Sequence, residues 1–444
     1  MMRPVRLPPL EWHTLDNGMR VVTATRRDLP LVSLLFVTEA GSALDPRGKE
    51  GPACLGSTLL LRGTRSRAPG EVTRAIEEVG GRIEAATDRD RTFVSAHALA
   101  EHLPLAFELV ADVVRAPLFD PRETEAAKRR EVAELEQSKD DPALLARRNL
   151  LATYLPADHP YAAPVPGWTS TVSKLGRDDL VEFHASTFSP SSSFLVVVGD
   201  VDAEAVRSLA ESRFGSWAGK GPSAPVAALP RRTRPKVRLI HKEESTQTQV
   251  RMIGPADLER KDPLFFPAMV ANVAFGGGFT SRLVNEIRVN RGLSYSVGTS
   301  FSLLRAGGFF AFSSFTKNET VGELLTVLLE ESRRARGAGF EAEELERAKR
   351  YLAGLYPLGL ETNDQVAAAI AETILFDLGE DWVPLYRERV MAVDGEEAAE
   401  AASRFFFAEP FGLVLVGDRP SILRGIEEAG IDAEIEDLPI DRAA

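Results

Sequence analysis

Phe194-Leu195-Val196-Val197-Val198-Gly199-Asp200 reads as a strand closed by a turn, and Phe411-Gly412-Leu413-Val414-Leu415-Val416-Gly417-Asp418 echoes it. Val198 and Val416 are 218 positions apart. Two more pairs share nearly that offset: the buried-strand pattern at 32–37 recurs at 248–253, and Phe93 recurs as Phe309, each 216 further on. Three near-equal offsets indicate an internal duplication. The stretch 219–235, rich in Gly, Pro, Ala and Arg and without periodicity, reads as an exposed linker. The expected domains are therefore 1–220 and 236–444, joined by 221–235.

Working outward, residues 15–23 read as strand, Asn-Gly turn and strand. Helical patterns occupy 52–61 and 71–79, where Val72, Ala75, Ile76 and Val79 form an i, i+3, i+4, i+7 stripe. The period then switches, and 82–98 alternates as a single strand would. Two helices follow. The second opens at Asp120-Pro121-Arg122-Glu123, with an N-cap, a proline at the first position and an acid completing the capping box. Asp140-Asp141-Pro142 interrupts that pattern, and a further helical region reaches Phe188. Strands mixed with helices in both copies make the fold class α+β.

Length and composition suit two domains. The chain has 444 residues, 44% hydrophobic and 27% charged, ordinary for a soluble globular protein. No run approaches the roughly 18 apolar residues of a membrane span. A formal net charge of -12 argues against a nucleic-acid or anionic-membrane surface. It fits either plain solubility or a chamber that favours basic peptides. The basic N-terminus lacks an apolar segment behind it, which points to a cytoplasmic protein, or a periplasmic one if a leader has been removed. The single cysteine, Cys54, excludes an internal disulfide and a cysteine-rich metal cluster.

The stretch 275–297 carries the chemistry. Gly276, Gly277 and Gly278 supply a break, Ser281 is placed to cap a short helix with Leu283, Val284 and Ile287 on one face, and Gly292 turns the chain into a strand. Arg288 at the helix end and Tyr295 early in the strand can converge, giving two donors suited to an oxyanion or a peptide carbonyl. Taken alone, the same residues read as a surface arginine in an ion pair and a half-buried strand tyrosine.

The pattern G-G-G-x-x-S-R-L-x-x-E-I-R-x-x-R-G-L-x-Y-S-V resembles the second-half signature of the pitrilysin and insulin-degrading-enzyme family of zinc peptidases. The resemblance implies two homologous α/β-sandwich-like domains forming half of a clamshell. It also implies that Arg288 and Tyr295, from the half opposite the zinc, help to hold substrate and the tetrahedral intermediate. Gly276 to Gly278 match in position the glycine-rich loop of the non-catalytic subunit of mitochondrial processing peptidase, a substrate-binding element; a helix-helix turn accounts for them equally well.

Active family members carry H-x-x-E-H on a first-half helix, then Gly-Thr, with a glutamate about 76 residues beyond. Here the Gly-Thr is Gly63-Thr64, but the first His position is Cys54, the general base is Ser57 and the second His is Thr58. Only the distant glutamate remains, as Glu134, and the acid seven residues before it is Ala127. A catalytic zinc needs about three protein ligands and a water. A serine hydroxyl cannot take a proton from water near neutrality. The resemblance thus implies that this chain binds no cofactor and that zinc sits in a homologous partner subunit with H-x-x-E-H, acting on peptides. This chain would then be the non-catalytic subunit of a heteromeric metallopeptidase. The alternative is a structural or peptide-binding subunit with no part in chemistry, like the core subunits of the respiratory bc1 complex. The segment 82–98 matches the family's substrate-pairing edge strand, but Glu84-Ala85-Ala86 replaces its usual Asn-Ala, which favours an ordinary sheet strand.

Overall fold

A computed structural model describes residues 5–222, 226–407 and 410–443. The chain forms two compact units, Met1–Ala133 with Val165–Val226 and Tyr356–Leu385, and Glu134–Pro164 with Ala227–Leu355 and Tyr386–Ala444. Residues 223–225 of the expected linker lie outside the described residues; the described remainder of 219–235 has no helix or strand.

Each unit is built on a six-stranded mixed sheet. The first contains β1 (Leu10–Thr14), β2 (Arg20–Thr25), β3 (Leu31–Thr38), β4 (Arg82–Thr87), β5 (Thr92–Leu99) and β6 (Ser193–Gly199), in the order β1-β2-β6-β3-β5-β4. The second contains β7 (Lys236–His241), β8 (Gln247–Ala256), β9 (Val297–Leu304), β10 (Gly307–Lys317), β11 (Gly412–Gly417) and β12 (Glu434–Asp437), in the order β12-β7-β11-β8-β10-β9. Five strands correspond in order and direction: β2 runs parallel to β6 as β7 does to β11, and the pairs that follow are antiparallel in both sheets. The three sequence echoes fall on β6 and β11, β3 and β8, and β5 and β10, so the duplication is structural. Only the sixth strand differs, since β1 is antiparallel to β2 whereas β12 is parallel to β7.

The echoed strands β6 and β11 are buried along their whole length, as strands with both faces covered must be. Their closing glycines allow close approach. A Cβ at Gly199, where φ is +147°, would lie 2.1 Å from the carbonyl oxygen of Leu31, and one at Gly417 would lie 2.6 Å from Thr248 Oγ1.

Helices pack on both sheets, and one helix on each comes from the other half of the sequence. Pro142–Tyr154 packs on β8 and β11, with Leu145 and Ala146 buried against Ile240, Val414 and Val416. Asn363–Leu375 packs on β3 and β6, with Val366, Ala367 and Ile370 buried against Val22, Val196 and Val198. Matching apolar pairs, Leu145-Ala146 and Val366-Ala367, thus do the same work in each unit.

The segment 82–98 is a hairpin, not one strand. Asp88 Oδ1 accepts from the amides of Asp90 (2.7 Å) and Arg91 (2.8 Å), closing a turn between β4 and β5. Such a side-chain-closed turn leaves the alternation running through it, so the period gives no sign of the reversal. Asp120 caps its helix as expected, accepting from Arg122 and Glu123, and the interruption at Asp140-Asp141-Pro142 proves to be a helix start, with Asp141 accepting from Ala143 and Leu144. Ser281 does not cap: its hydroxyl is buried without a hydrogen-bond partner among the described residues, and the helix after it widens to π geometry over Val284–Asn290.

Candidate functional site

In the first unit, Cys54, Ser57 and Thr58 lie on the helix Pro52–Leu60. The Ser57 hydroxyl, buried, donates to the Cys54 carbonyl at 2.8 Å, and the exposed Thr58 hydroxyl donates to the same oxygen at 3.3 Å. Both side chains are therefore turned back onto their own helix rather than presented to an ion. Asp45 holds the start of this helix, its two oxygens accepting from Gly51 (2.8 Å) and Ala53 (2.9 Å). Burial, opposed by those two amides, pushes its pKa up to about 7. Gly63-Thr64 is a turn in which Thr64 Oγ1 accepts from the amides of Ser66 and Arg67, so that dipeptide has a local structural reason.

Glu134 is exposed on the helix Pro121–Gln137, and Ala127 is buried on the same helix. Among the described residues, no group of three or more His, Cys, Asp or Glu is placed to hold a metal ion. The donors at the H-x-x-E-H positions do not fit zinc: one thiol and two hydroxyls, with both hydroxyls committed to a backbone carbonyl.

The second unit places the other residues. After the helix Phe265–Asn272 a π turn over Val273–Gly277 leads into an extended Gly278. Each glycine of the triplet is crowded. A Cβ at Gly276 would lie 2.6 Å from Thr299 Oγ1, at Gly277 2.8 Å from Asn272 Nδ2, and at Gly278 2.9 Å from the Val273 carbonyl. Thr299 and Asn272 are themselves joined by a 2.7 Å hydrogen bond. Arg282 is buried, held by Glu344 at 2.9 and 2.6 Å and by the Gly339 carbonyl at 3.0 Å, and this anchors the helix that carries Arg288.

Arg288 is exposed, its guanidinium 4.9 Å from the centroid of the Phe279 ring, and no carboxylate pairs with it among the described residues. Tyr295 is 73% exposed and meets the Phe315 ring edge-on at 4.7 Å, with no hydrogen bond to its hydroxyl among the described residues. The chain adopts neither the surface ion pair nor the half-buried tyrosine of the plain reading. No hydrogen bond joins Arg288 to Tyr295 directly. The loop between them is rigid: Leu293 donates its amide to Ile287, Thr316 Oγ1 donates to the Leu293 carbonyl, and Ser314 Oγ donates to the Ser296 carbonyl. Two donors left open on fixed supports can bind an anionic or carbonyl oxygen.

A third cluster gave no sequence signal. Asp364 Oδ1 accepts from Ser33 Oγ at 2.5 Å and lies 2.7 Å from His97 Nδ1, while Asp364 Oδ2 accepts from Arg82 at 3.0 Å. These residues line a cleft of about 510 Å³. Burial lowers the His97 pKa, against the pull of Asp364. The serine hydroxyl donates directly to the carboxylate, and a single imidazole nitrogen, His97 Nδ1, meets both the acid and Ser33 Oγ (3.2 Å), so the ring does not bridge serine and acid through its two nitrogens as a hydrolytic triad requires. It ties the helix Asn363–Leu375 to β3 and β5.

A family model for Insulinase (Peptidase family M16) matches residues 20–163, and one for the Peptidase M16 inactive domain matches 174–352. An uncharacterized zinc protease of Streptomyces coelicolor is 30% identical over 372 residues, covering 82% of this chain and 80% of that protein. Another, of Mycobacterium leprae, is 30% identical over 356 residues, covering 79% of each. The crystal structure of a peptidase M16 inactive domain from Pseudomonas fluorescens matches with a TM-score of 0.86 at 23% identity, covering 92% of this chain and 98% of that one. A protease from Helicobacter pylori matches at 0.84 with 19% identity, covering 92% and 100%. At those identities the two solved structures speak for the fold.

Proposed function

From the premise that the chain belongs to the M16 peptidase family, we propose that it is the non-catalytic subunit of a heteromeric zinc metallopeptidase. A homologous subunit with H-x-x-E-H would hold the zinc, and this chain would supply Arg288 and Tyr295 to the bound peptide. The observation that carries the reading is a contrast: the H-x-x-E-H positions hold donors unfit for zinc, while Arg288 and Tyr295 stand exposed with their donors open. Donors aimed at the oxygen that becomes negative in peptide hydrolysis stabilise the transition state more than the ground state. Gly276 to Gly278, at the base of the same element, would serve the site indirectly, since the chain's own Thr299, Asn272 and Val273 fill the space a side chain would need and so seat the element that carries Arg288.

A second reading keeps one observation on its side. The Tyr295 ring packs on Phe315 and the Arg288 guanidinium on Phe279, so both side chains also have packing partners, as a purely structural or peptide-binding subunit would need. The test is turnover by the complex reconstituted with an H-x-x-E-H homologue, comparing wild type with Tyr295→Phe. The structural reading predicts equal rates.

A further inference from the structure

The two sheets differ in how a polar side chain on the helix-covered face is met. In the first, Ser33 of β3 pairs in register with His97 of β5, and Asp364, two residues beyond the Thr362 cap, brings a carboxylate to them. In the second, Arg251 of β8 pairs in register with Ser313 of β10, and two residues beyond the Asp141 cap stands Ala143. There a cation stands on the sheet with no carboxylate at hydrogen-bonding distance among the described residues.

Arg251 is held rigidly. Its Nη1 donates to the carbonyls of Val250 (3.0 Å) and Ser314 (2.7 Å), while Nε and Nη2 meet no acceptor among the described residues. Its surroundings do not favour the charge: burial first, then Arg147 on the helix above, lower its pKa. The opposing charge is that of Asp141, one of whose oxygens is engaged by the amides of Ala143 and Leu144. A fixed guanidinium with one edge open suits the bidentate geometry of a carboxylate.

The sheet face around it is accessible and continuous with the site above. Ser313 is exposed, Phe315 two residues on shares its face, and Phe315 is the ring that Tyr295 touches. Ser300 and Lys317 on that face are exposed as well. We propose that Arg251, with Arg147 beside it, anchors the side-chain carboxylate of an acidic residue in an extended peptide lying across this face. Arg251 sits in the middle of β8, so chain can continue on both sides of the anchored residue, which a terminal carboxylate would not require. The proposal rests on the peptide-handling role above for the nature of the ligand.

The test is fluorescence anisotropy of labelled ten-residue peptides, identical except for one central Glu or Gln and each made with a free or amidated C-terminus, titrated with the full chain. The Glu peptides should bind about tenfold tighter than the Gln peptides whether or not the terminus is amidated, as for one charge-assisted pair. Arg251→Met should abolish the difference, and Arg251→Glu should reverse it in favour of a central Lys. Arg251→Lys, which keeps the charge but loses the fork, should retain only part of it, and guards against a folding artefact. Equal binding of Glu and Gln peptides, dependence on the free terminus alone, or no binding of any peptide overturns the proposal. Normal loss of turnover in Tyr295→Phe alongside equal Glu and Gln binding would remove the Arg251 anchor and leave the subunit reading standing. Glu selectivity with unchanged turnover in Tyr295→Phe would do the reverse.

Discussion

The Arg288 guanidinium lies over the ring of Phe279, 4.9 Å from its centroid, on an exposed part of the second unit. An aromatic face steadies a cation by roughly 0.5–1 kcal/mol at such a site without neutralising it, so the charge stays available to a ligand. Pairing with a carboxylate would have spent it.

From this follows the expectation for chemistry. In a complex reconstituted with an H-x-x-E-H homologue, Arg288→Ala and Tyr295→Phe should leave assembly intact and lower kcat by about 10²-fold, roughly 3 kcal/mol of transition-state stabilisation each. Tyr295→Phe retains the ring contact with Phe315 and removes only the hydroxyl. Steady-state kinetics with both variants turning over at the wild-type rate would make the chain a scaffold.

Metal content should follow the donor set of the helix Pro52–Leu60. The purified chain is expected to hold no stoichiometric zinc by elemental analysis, and about one tightly bound zinc per chain would refute this. Installing Cys54→His, Ser57→Glu and Thr58→His together should lower the melting temperature of the metal-free protein. Position 57 is only 6% exposed, and a glutamate there would be buried without its partner.

The Arg282–Glu344 pair should be a point of high sensitivity. Arg282 is 7% exposed and makes two hydrogen bonds to that carboxylate. Arg282→Met leaves Glu344 part-buried and unpaired, and is expected to cost about 3–5 kcal/mol in urea unfolding. A concurrent Glu344→Gln should recover part of the loss. If Arg282→Met unfolds at the wild-type midpoint, the pair is not anchoring the Arg288 helix.

Asp45 imposes a pH dependence with a definite sign. Its folded pKa of about 7 stands above the ordinary 3.8, so between those values the folded chain holds a proton that the unfolded chain has released. Its contribution to stability is therefore complete below about 4 and declines as pH rises to about 7, by at most on the order of 4 kcal/mol. Denaturant unfolding at pH 4.5 and 7.5 should show wild type losing more stability, relative to Asp45→Asn, at the higher pH. Parallel pH profiles for the two proteins would contradict it.

Much of the fold was legible because it is written in short-range terms. The apolar run of β6, its echo in β11, the proline-led cap at Asp120, the break at Asp140-Asp141-Pro142 and the Asn17-Gly18 turn each depend on a few adjacent residues. The hairpin within 82–98 escaped because a turn closed by Asp88 preserves the alternation on either side. Ser281 escaped because a cap needs the hydroxyl to face the helix end, and packing buries it instead.

By itself the sequence determined that the chain is a duplicated α+β protein with unsuitable donors at the zinc positions, since residue identity and regular spacing suffice for both. Which helix covers which sheet was decided only by the tertiary structure. The exchange of Pro142–Tyr154 and Asn363–Leu375 brings Asp364 to Ser33 across 331 positions of sequence, and leaves Arg251 bonded to backbone carbonyls with no carboxylate at hydrogen-bonding distance among the described residues. The apolar patterns of the two helices are alike enough to suit either sheet, so periodicity carries no information on the choice. Side-chain charge is satisfied or left open only once the chain has closed on itself, and that is a property of the packed units, not of any local run of residues.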